Sequence, residues 1–253
     1  MAAVRLEAVP GLPEIVPGTP LGEEIAAAAQ RAAIPIGDQS VVIVAQKVVS
    51  KAEGRTRALA GVEPGAHALD LGATLGKDPR LIELILAESR RVVRAEHGVL
   101  ICETHSGLIC ANAGVDASNV PGADRVTLLP IDPDHSAQRL RAEVRAVAGV
   151  APAVVVADSF GRPWRHGQTD VAIGCAGLRP VDDWRERRDR EGRPLAATAI
   201  AVADELAAAA DLVRDKASGE PVVVASGLER FVTADDGPGA VSLRRAEAED
   251  LFR

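Results

Sequence analysis

The chain has 253 residues, 47% of them hydrophobic and 26% charged, so it is long enough to bury a core and is typical of a globular protein. Aromatic residues amount to 2%, Tyr is absent and the formal net charge is −7. The chain therefore lacks the stacking side chains and the basic surface that nucleic-acid binding uses. We expect small-molecule ligands and no nucleic-acid partner.

Cysteine usage and the N-terminus indicate the cellular compartment. The cysteines Cys102, Cys110 and Cys175 are odd in number and form no CxxC pair, so we predict buried thiols in a reducing compartment rather than disulfides or a zinc site. The N-terminus has no apolar segment followed by a cleavage site, and acidic residues interrupt the most apolar long stretch, 195–213. We predict a cytoplasmic protein with no membrane partner.

Predicted strands and helices alternate irregularly along the chain. Thr19 and Pro20 are typical of a helix start, and Asp132 lies in a rigid turn suited to capping a helix. The predicted strands are 4–9, 41–45, 99–102, 108–110, 126–129, 153–157, 171–177 and 222–225. The predicted helices are 21–33, 66–94, 137–147, 195–213 and a C-terminal segment from 243. Within 66–94, Asp78 and Pro79 are predicted to open a second helical segment.

This order of elements predicts the fold class. The strands and helices have no regular βαβ spacing, which favours an α+β (mixed α/β) fold with mixed or antiparallel sheets and flanking helices. No repeat, low-complexity linker or composition change divides the chain. We predict a single unit over 1–253, which could comprise two closely packed subdomains.

The stretch 109–120, ICANAGVDASNV, passes from an apolar strand into a run of small and polar residues that folding alone does not require. Gly114 would let the backbone approach a ligand, Asp116 offers oxygen to a hard cation, and Ser118 and Asn119 are neutral hydrogen-bonding groups. This combination suits a metal-bound phosphate. An Asx-turn that joins two strands is an equally good interpretation of these residues.

Two further stretches have the character of a site. Lys47 and Lys51 follow a buried strand and could hold the anionic oxygens of a nucleotide, although a solvated turn is the simpler interpretation. In 157–167, ADSFGRPWRHG, Asp158 and Ser159 end a predicted buried strand, and Arg, Arg and His follow. A turn is again the alternative, but so many basic residues are unusual in one.

Six stretches together resemble the coenzyme F420-0:γ-glutamyl ligases, the family known as CofE. They lie in the family's order over nearly the whole chain, so their combination is far more specific than any single motif. The stretches are GLPEI at 11–15, KVVSKAEGR at 47–55, NAGVDASNV at 112–120, LPIDPDHSA at 129–137, ADSFGRPWRHG at 157–167 and VADELAAAADLV at 202–213.

The resemblance implies a CofE-like fold and a GTP-dependent ligase. Such an enzyme joins L-glutamate to the lactyl carboxylate of the deazaflavin precursor F420-0 and then adds a second glutamate through a γ-linked amide. The resemblance also implies an acyl-phosphate intermediate, GDP and phosphate as products, two divalent ions (Mg²⁺ or Mn²⁺), K⁺ and a homodimer. Some bacterial relatives carry an additional flavin-binding domain, and we expect this chain to be the form without it.

The family's site residues transfer by motif. Asp116 and Asp158 would ligate metal, and Ser159 stands where the family usually has Thr as a ligand to a second metal. A later ligand, often acidic, falls near Lys216, but a protonated lysine cannot ligate a cation, which makes Asp215 the substitute. The residues that would contact GTP are Leu12, Pro13, Glu14, Ile15, Gln46, Lys47, Lys51 and Asn119.

No nucleophilic side chain is expected, because positioning and charge stabilisation would carry the reaction. Arg55, Arg162, Arg165 and His166 are candidates to bind the F420-0 phosphodiester or the glutamate carboxylates. Two alternatives remain open: a GTP- or ATP-driven ligase acting on another carboxylate, and a metal-dependent nucleotide-binding protein without ligase activity. Glutamate-dependent phosphate release would separate a ligase from a binding protein.

Overall fold

The computed structural model describes residues 3–118, 122, 124–214 and 218–250. The strands are β1 (Arg5–Ala8), β2 (Val41–Ala45), β3 (Thr56–Ala58), β4 (Ser89–Glu96), β5 (Val99–Thr104), β6 (Ile109–Ala111), β7 (Arg125–Thr127), β8 (Ala153–Arg162), β9 (Arg165–Ala176), β10 (Asp182–Asp183), β11 (Ala199–Ile200) and β12 (Val222–Ser226). The α-helices are α1 (Leu21–Arg31), α2 (Gln46–Ala52), α3 (Ala66–Leu75), α4 (Pro79–Ala87), α5 (Pro133–Ala148) and α6 (Val202–Asp211).

A five-stranded sheet of order β1-β12-β2-β8-β9 forms the centre of the fold. Strands β2 and β8 are parallel, and the other neighbours pair antiparallel. The central strand β2, VVIVA, is continuously apolar because both faces of the sheet are covered. Val42 and Val44 face the core that includes α1 and α5, whereas Val41 and Ile43 face the core that includes α6.

A third hydrophobic core lies among α3, α4 and the antiparallel sheet β4-β5-β6. Its buried residues include Ile82, Ile85 and Leu100. After β7, Leu128 enters this core and Leu129 enters the sheet core beside α1, so adjacent residues join the two. The mixed and antiparallel sheets with flanking helices confirm the predicted α+β (mixed α/β) class.

The prediction over 66–94 is confirmed where it places the start of a second helical segment, at Asp78 and Pro79, and it is wrong over 89–94, which is a strand. Helix α3 ends at Gly76, which adopts a left-handed conformation (φ 65°), and Asp78 caps a new helix by accepting a hydrogen bond from Arg80 N. The second helix ends at Ala87, and β4 then pairs with β5. The two adjacent valines of β4 suit a strand, and pairing with the next strand overrides the helical pattern.

Three other predicted elements also differ. The stretch with Lys47 and Lys51 is helix α2 rather than a turn, and the helix predicted over 195–213 begins only at Val202 because Ala199 and Ile200 pair with β10. The described C-terminal segment has short 3₁₀ turns, Ala240–Leu243 and Glu247–Glu249, instead of an α-helix. Polar and charged side chains separate its few apolar ones, which leaves too little apolar surface to hold a helix on the core.

Other predictions are confirmed. Strand β2 has the predicted bounds, and Asp132 caps α5 by accepting a hydrogen bond from His135 N, although α5 begins four residues before the predicted start. Thr19 instead hydrogen-bonds to Val16 and leaves α1 without a side-chain cap. The three cysteines are free and buried. Within the described ranges, the helices are too short or too polar to cross a bilayer.

Candidate functional site

One cavity of about 980 Å³ opens where β2 passes into α2, next to the ends of β6 and β12 and the middle of β8. It brings together ten of the eleven residues that the resemblance assigns to GTP or metal. These are Leu12, Pro13, Glu14, Ile15, Gln46, Lys47, Lys51, Asp116, Asp158 and Ser159. The eleventh, Asn119, lies outside the described residues, as do Asp215 and Lys216.

Lys47 and the Asp116 turn form one hydrogen-bonded group on the cavity wall. Lys47 Nζ donates to Asp116 Oδ2 and to Ser118 Oγ, each at 2.7 Å, and also to the Ser118 carbonyl. Ser118 N donates to Asp116 Oδ1 at 2.8 Å, so the Asx-turn is present and still presents its carboxylate to the cavity. Burial raises the pKa of Asp116, but the hydrogen bonds from Lys47 and Ser118 outweigh it and hold that pKa below its usual value.

Gly114 lines the cavity, so its predicted approach to a ligand stays a prediction, and the structure gives it a packing role as well. Its φ is +73°, and a Cβ at this position would lie 2.4 Å from Leu129 Cγ. The glycine is therefore also needed for a close approach to the core residue Leu129. It positions the turn that carries Asp116.

The second lysine, Lys51, links α2 to a loop that forms another part of the cavity wall. Lys51 Nζ lies 2.7 Å from Glu14 Oε1, which joins α2 to the loop at 12–15. The Lys51 side chain is 13% exposed and that of Glu14 is 64% exposed. Gln46 is buried more deeply, and its amide donates to Ser50 Oγ and to the Leu128 carbonyl. The ammonium group of Lys51 is thus held at the cavity by a carboxylate that is itself largely exposed to solvent.

Asp158 lies within β8, not after it. The predicted strand stopped at Ala157, but β8 runs on to Arg162 as one arm of a long hairpin with β9. Burial raises the pKa of Asp158 to about 7, and repulsion by the carboxylates of Asp170 and Asp116 adds to the rise. Among the described residues, no lysine, arginine or histidine forms an ion pair with Asp158.

The sequence patterns missed Asp170 and Arg214. Ser159 Oγ donates to Asp170 Oδ1 at 2.6 Å, and Asp170 Oδ2 forms a buried ion pair with Arg214, which follows α6. Both residues line the cavity. The predicted strand 171–177 began one residue too late to include Asp170, although an aspartate that begins an apolar strand sequence, DVAIGCA, was a usable signal.

The donor atoms fit a hard divalent cation. Asp116, Asp158 and Ser159 offer carboxylate and hydroxyl oxygens, the ligands that Mg²⁺ and Mn²⁺ prefer. Asp158 is a half-buried carboxylate with two acidic neighbours, and such a cation would neutralise its charge. Within the described ranges, no three His, Cys, Asp or Glu side chains stand close enough to form a ready-made metal cluster. A bound ion would therefore have to draw its ligands together.

The four remaining predicted residues lie apart from the described cavity wall. Arg55 donates to the Leu129 carbonyl at 2.9 Å and to Glu88 at 2.5 Å, which gives it a structural role between α2 and the end of α4. The other three, Arg162, Arg165 and His166, are exposed at the tip of the β8–β9 hairpin. Arg162 donates to the His166 carbonyl at 2.8 Å across the tip.

The fold and the cavity define an α+β protein with one large cavity whose described wall carries both carboxylates and cationic side chains. The sequence model of F420-0:Gamma-glutamyl ligase matches residues 11–227. The chain therefore belongs to the F420-0:γ-glutamyl ligase family.

The chain also aligns over nearly its whole length with relatives that are named as ligases of this kind. The proteins named Coenzyme F420:L-glutamate ligase from Methanothermobacter thermautotrophicus and Methanopyrus kandleri are each 40% identical to the chain and align with 99% or more of it and 99% of their own lengths. The protein of the same name from Halobacterium salinarum is 45% identical over 97% of this chain and 94% of its own.

Proposed function

We propose that this protein is a GTP-dependent ligase that adds L-glutamate to coenzyme F420-0, and then a second, γ-linked glutamate to the product. The observation that carries the proposal is the convergence of ten family-assigned residues on one cavity, in a chain that belongs to this family over most of its length. The names of the relatives support F420 and L-glutamate as substrates.

The chemistry accounts for the charges around the cavity. A carboxylate does not condense with an amine unaided, so a carboxylate oxygen of F420-0 first attacks the γ-phosphorus of GTP and GDP leaves. The amine of glutamate then attacks the acyl phosphate, loses a proton and expels phosphate. Bringing anionic groups together requires cationic side chains and hard cations to offset their repulsion. Positioning and charge stabilisation are then sufficient without a nucleophilic side chain.

In this proposal, Lys47 and Lys51 bind phosphate oxygens. The ammonium group of Lys47 has three protons and meets three acceptors, all from Asp116 and Ser118. Nucleotide binding therefore requires Lys47 to exchange at least one of these acceptors for a phosphate oxygen. Among the described residues, the partner that Lys51 needs to release is Glu14, which is largely exposed. Leu12 to Ile15 and Gln46 complete the nucleotide-binding wall, and Asn119 is assigned to GTP by resemblance.

Asp116, Asp158 and Ser159 would hold two divalent ions, Mg²⁺ or Mn²⁺. When bound, these ions would neutralise the phosphate oxygens and so assist phosphoryl transfer. Among the described residues, Asp158 forms no ion pair with a cationic side chain, and Asp116 and Ser159 provide further oxygens on the cavity wall. The proposal includes a K⁺ requirement, which rests on the family resemblance and is tested by replacing K⁺ with Na⁺ in the assay.

In this proposal, the exposed tip of the β8–β9 hairpin binds the part of a long substrate that reaches beyond the cavity. Gly161 and Gln168 still line the cavity, and Arg162, Arg165 and His166 lie just beyond them. A deazaflavin substrate that reaches out of the cavity would therefore meet positive charge suited to its phosphodiester or to glutamate carboxylates. We assign Arg55 no such role, because Glu88 and the Leu129 carbonyl already bind its guanidinium.

Oxygen labelling tests the proposed reaction. F420-0 labelled with ¹⁸O in its carboxylate is incubated with GTP, Mn²⁺ and L-glutamate, and the released phosphate is analysed by mass spectrometry. In the first addition, the acyl-phosphate route transfers one labelled oxygen to the released phosphate, since the carboxylate C–O bond breaks when the amine attacks. In the second addition, the activated carboxylate belongs to the unlabelled glutamyl residue, so its phosphate carries no label. Product with one added glutamate but no labelled phosphate would overturn the acyl phosphate. Phosphate release that is independent of both glutamate and F420-0 would overturn the ligase itself.

Assembly and location follow from the same resemblance. We propose that the protein acts as a cytoplasmic homodimer. Light scattering of the purified protein gives its mass in solution, and a mass equal to one 26.3 kDa chain would overturn the dimer.

A further inference from the structure

Asn112 and Lys77 form a hydrogen-bonded pair at the cavity wall that the proposed function does not use. Asn112 follows β6 and lines the cavity, whereas Lys77 lies between α3 and α4 and does not line it. Lys77 Nζ donates to Asn112 Oδ1 at 2.9 Å. Among the described residues, Lys77 forms no ion pair, so this half-buried lysine is paired with a neutral amide.

This pairing fixes which way the amide of Asn112 faces. A lysine ammonium group only donates hydrogen bonds, so the amide oxygen must face Lys77 and the NH₂ group must face away from it. In the described part of the chain, no acceptor takes a hydrogen bond from Asn112 Nδ2. This nitrogen is also not among the buried unpaired side-chain atoms of the described ranges. Asn112 therefore has an accessible NH₂ group whose protons are available to a ligand.

The backbone around Asn112 has an uncommon conformation. Three consecutive residues have positive φ, namely Asn112 (+53°), Ala113 (+51°) and Gly114 (+73°). Asn and Gly tolerate such angles, but Ala does not favour them. The Asn112 carbonyl accepts a hydrogen bond from Val115 N at 2.9 Å, which closes the turn. Strained backbone of this kind is typical of ligand-binding sites, and here it fixes the residue that carries the amide.

The position of Asn112 indicates which substrate group it meets. Strand β6 contacts β8, the strand that carries Asp158 and Ser159. Asp116 lies four residues after Asn112 on the same cavity wall. Most residues assigned to GTP come instead from α2 and the loop at 12–15. In the proposed reaction, the carboxylate that attacks GTP must lie beside the metal ligands, and this is the side of the cavity on which Asn112 lies.

We propose that Asn112 binds the acceptor carboxylate of F420-0 through its NH₂ group, with Lys77 as the positioning residue that keeps the amide in this orientation. The inference rests on the proposed function, in which that carboxylate attacks GTP. One N–H donor occupies one lone pair of a carboxylate oxygen and leaves others for the attack. A hydrogen bond to a charged group contributes about 10- to 100-fold in affinity.

Binding of two matched ligands tests the proposal without turnover. The first is F420-0, and the second is an analogue in which an ethyl group replaces the lactyl group, so that the phosphodiester remains and the carboxylate is absent. Calorimetry with Mn²⁺ and GDP present measures the Kd of each ligand for the wild type and Asn112→Gly. Glycine suits the positive φ of this position, so the variant removes the amide without straining the turn. We expect Asn112→Gly to bind F420-0 about 10-fold or more weakly and the analogue like the wild type.

The difference between the two ligands carries the test. Equal weakening of both ligands, or unchanged affinity for F420-0, would overturn the proposal. Ala113→Gly is the matched control, because it alters the same turn and keeps the amide, and it is expected to bind both ligands like the wild type. A loss of F420-0 affinity in this control as large as in Asn112→Gly would show that the turn is responsible and would also overturn the proposal. A wild type that binds no F420-0 would instead overturn the proposed function, and this inference with it.

A second variant protects the test against loss of folding. Asn112→Asp tolerates the positive φ and keeps an acceptor for Lys77, but it has no proton to donate to a carboxylate. Its charge repels both ligands, so the expected result is a larger loss of affinity for F420-0 than for the analogue. An equal loss for the two ligands would overturn the contact with the carboxylate.

Variants of Lys77 test the orientation of the amide separately. Lys77→Met removes the donor and lets the Asn112 amide turn, so we expect affinity for F420-0, but not for the analogue, to fall about 2-fold or more. Lys77→Arg keeps a group that only donates and is expected to restore the affinity. Wild-type affinity for F420-0 in Lys77→Met, or an equal loss in Lys77→Arg, would overturn the positioning role of Lys77. In the Asn112→Gly background, Lys77→Met should have no further effect, and a further loss there would overturn that role as well.

Discussion

Replacing Asp158 with Asn should stabilise the protein while removing a proposed metal ligand. The two side chains have the same shape, so the change removes charge without altering packing. The pKa of Asp158 is about 7 in the folded protein, compared with an ordinary value of 3.8. The folded state thus binds the proton more tightly than the unfolded state, and stability falls as pH rises from about 4 to about 7.

The magnitude follows from the pKa difference. Between pH 5 and pH 7, the penalty for ionising Asp158 grows by about 1.4 kcal/mol per pH unit at first and more slowly near the folded pKa, or by about 2.3 kcal/mol in all. The carboxyl group borders an open cavity, so solvent screens part of its charge. We therefore expect the ionisation penalty to grow by about 2 kcal/mol over this range. Asp158→Asn has no such penalty, so its stability advantage over the wild type should grow by about 2 kcal/mol over this range.

Urea unfolding of both proteins at pH 5, 6, 7 and 8, with EDTA present, measures the difference. Parallel stability profiles for the wild type and Asp158→Asn would refute the raised pKa of Asp158 in the folded protein. Adding Mn²⁺ and GTP provides the functional half of the test. Both ligands together should stabilise the wild type and have much less effect on Asp158→Asn, because ligand binding to the folded state raises its stability.

Three further changes probe other parts of the structure. Lys51→Ala should weaken GTP binding by about 10-fold, the effect of one hydrogen bond to a charged group, and unchanged affinity in calorimetry would make this lysine a surface residue. Glu88→Gln should lower stability by about 2 kcal/mol, because it leaves the guanidinium of Arg55 without its carboxylate, but should leave the KM for GTP unchanged; a KM effect without a stability effect would restore Arg55 to the site. Gly174→Ala should destabilise the fold by about 3 kcal/mol, because its Cβ would meet the Pro133 carbonyl oxygen at 2.2 Å, and a wild-type urea midpoint would contradict that packing.

Local patterns predicted the apolar strands well. Strand β2 has five consecutive apolar residues bounded by polar ones, and such a run has few alternatives once both sheet faces are covered. The boundary between α4 and β4 was not predictable in this way, because Leu, Ile, Val and Arg continue across it. What decides the change is pairing with β5, a contact between separate segments that periodicity does not contain.

Local sequence patterns likewise predicted some residues of the site and missed others. Asp116, Asp158 and Lys47 stood out because folding alone does not require such residues after apolar strands, and the cavity brings all three together. Asp170 did not stand out, because its partners Ser159 and Arg214 are 11 and 44 residues away in sequence. Only the strand pairing and the end of α6 bring these partners together. Arg55 shows the reverse case, since its sequence context resembles a site while its contacts are structural.

The most direct test of the proposed ligase is mass spectrometry of the deazaflavin after incubation of the purified protein with F420-0, GTP and Mn²⁺, with and without L-glutamate. We predict a mass gain of one or two glutamyl units, together with GDP, only when glutamate is present. Unchanged F420-0 in the complete mixture, with GTP still bound by the protein, would contradict glutamate ligation to this acceptor.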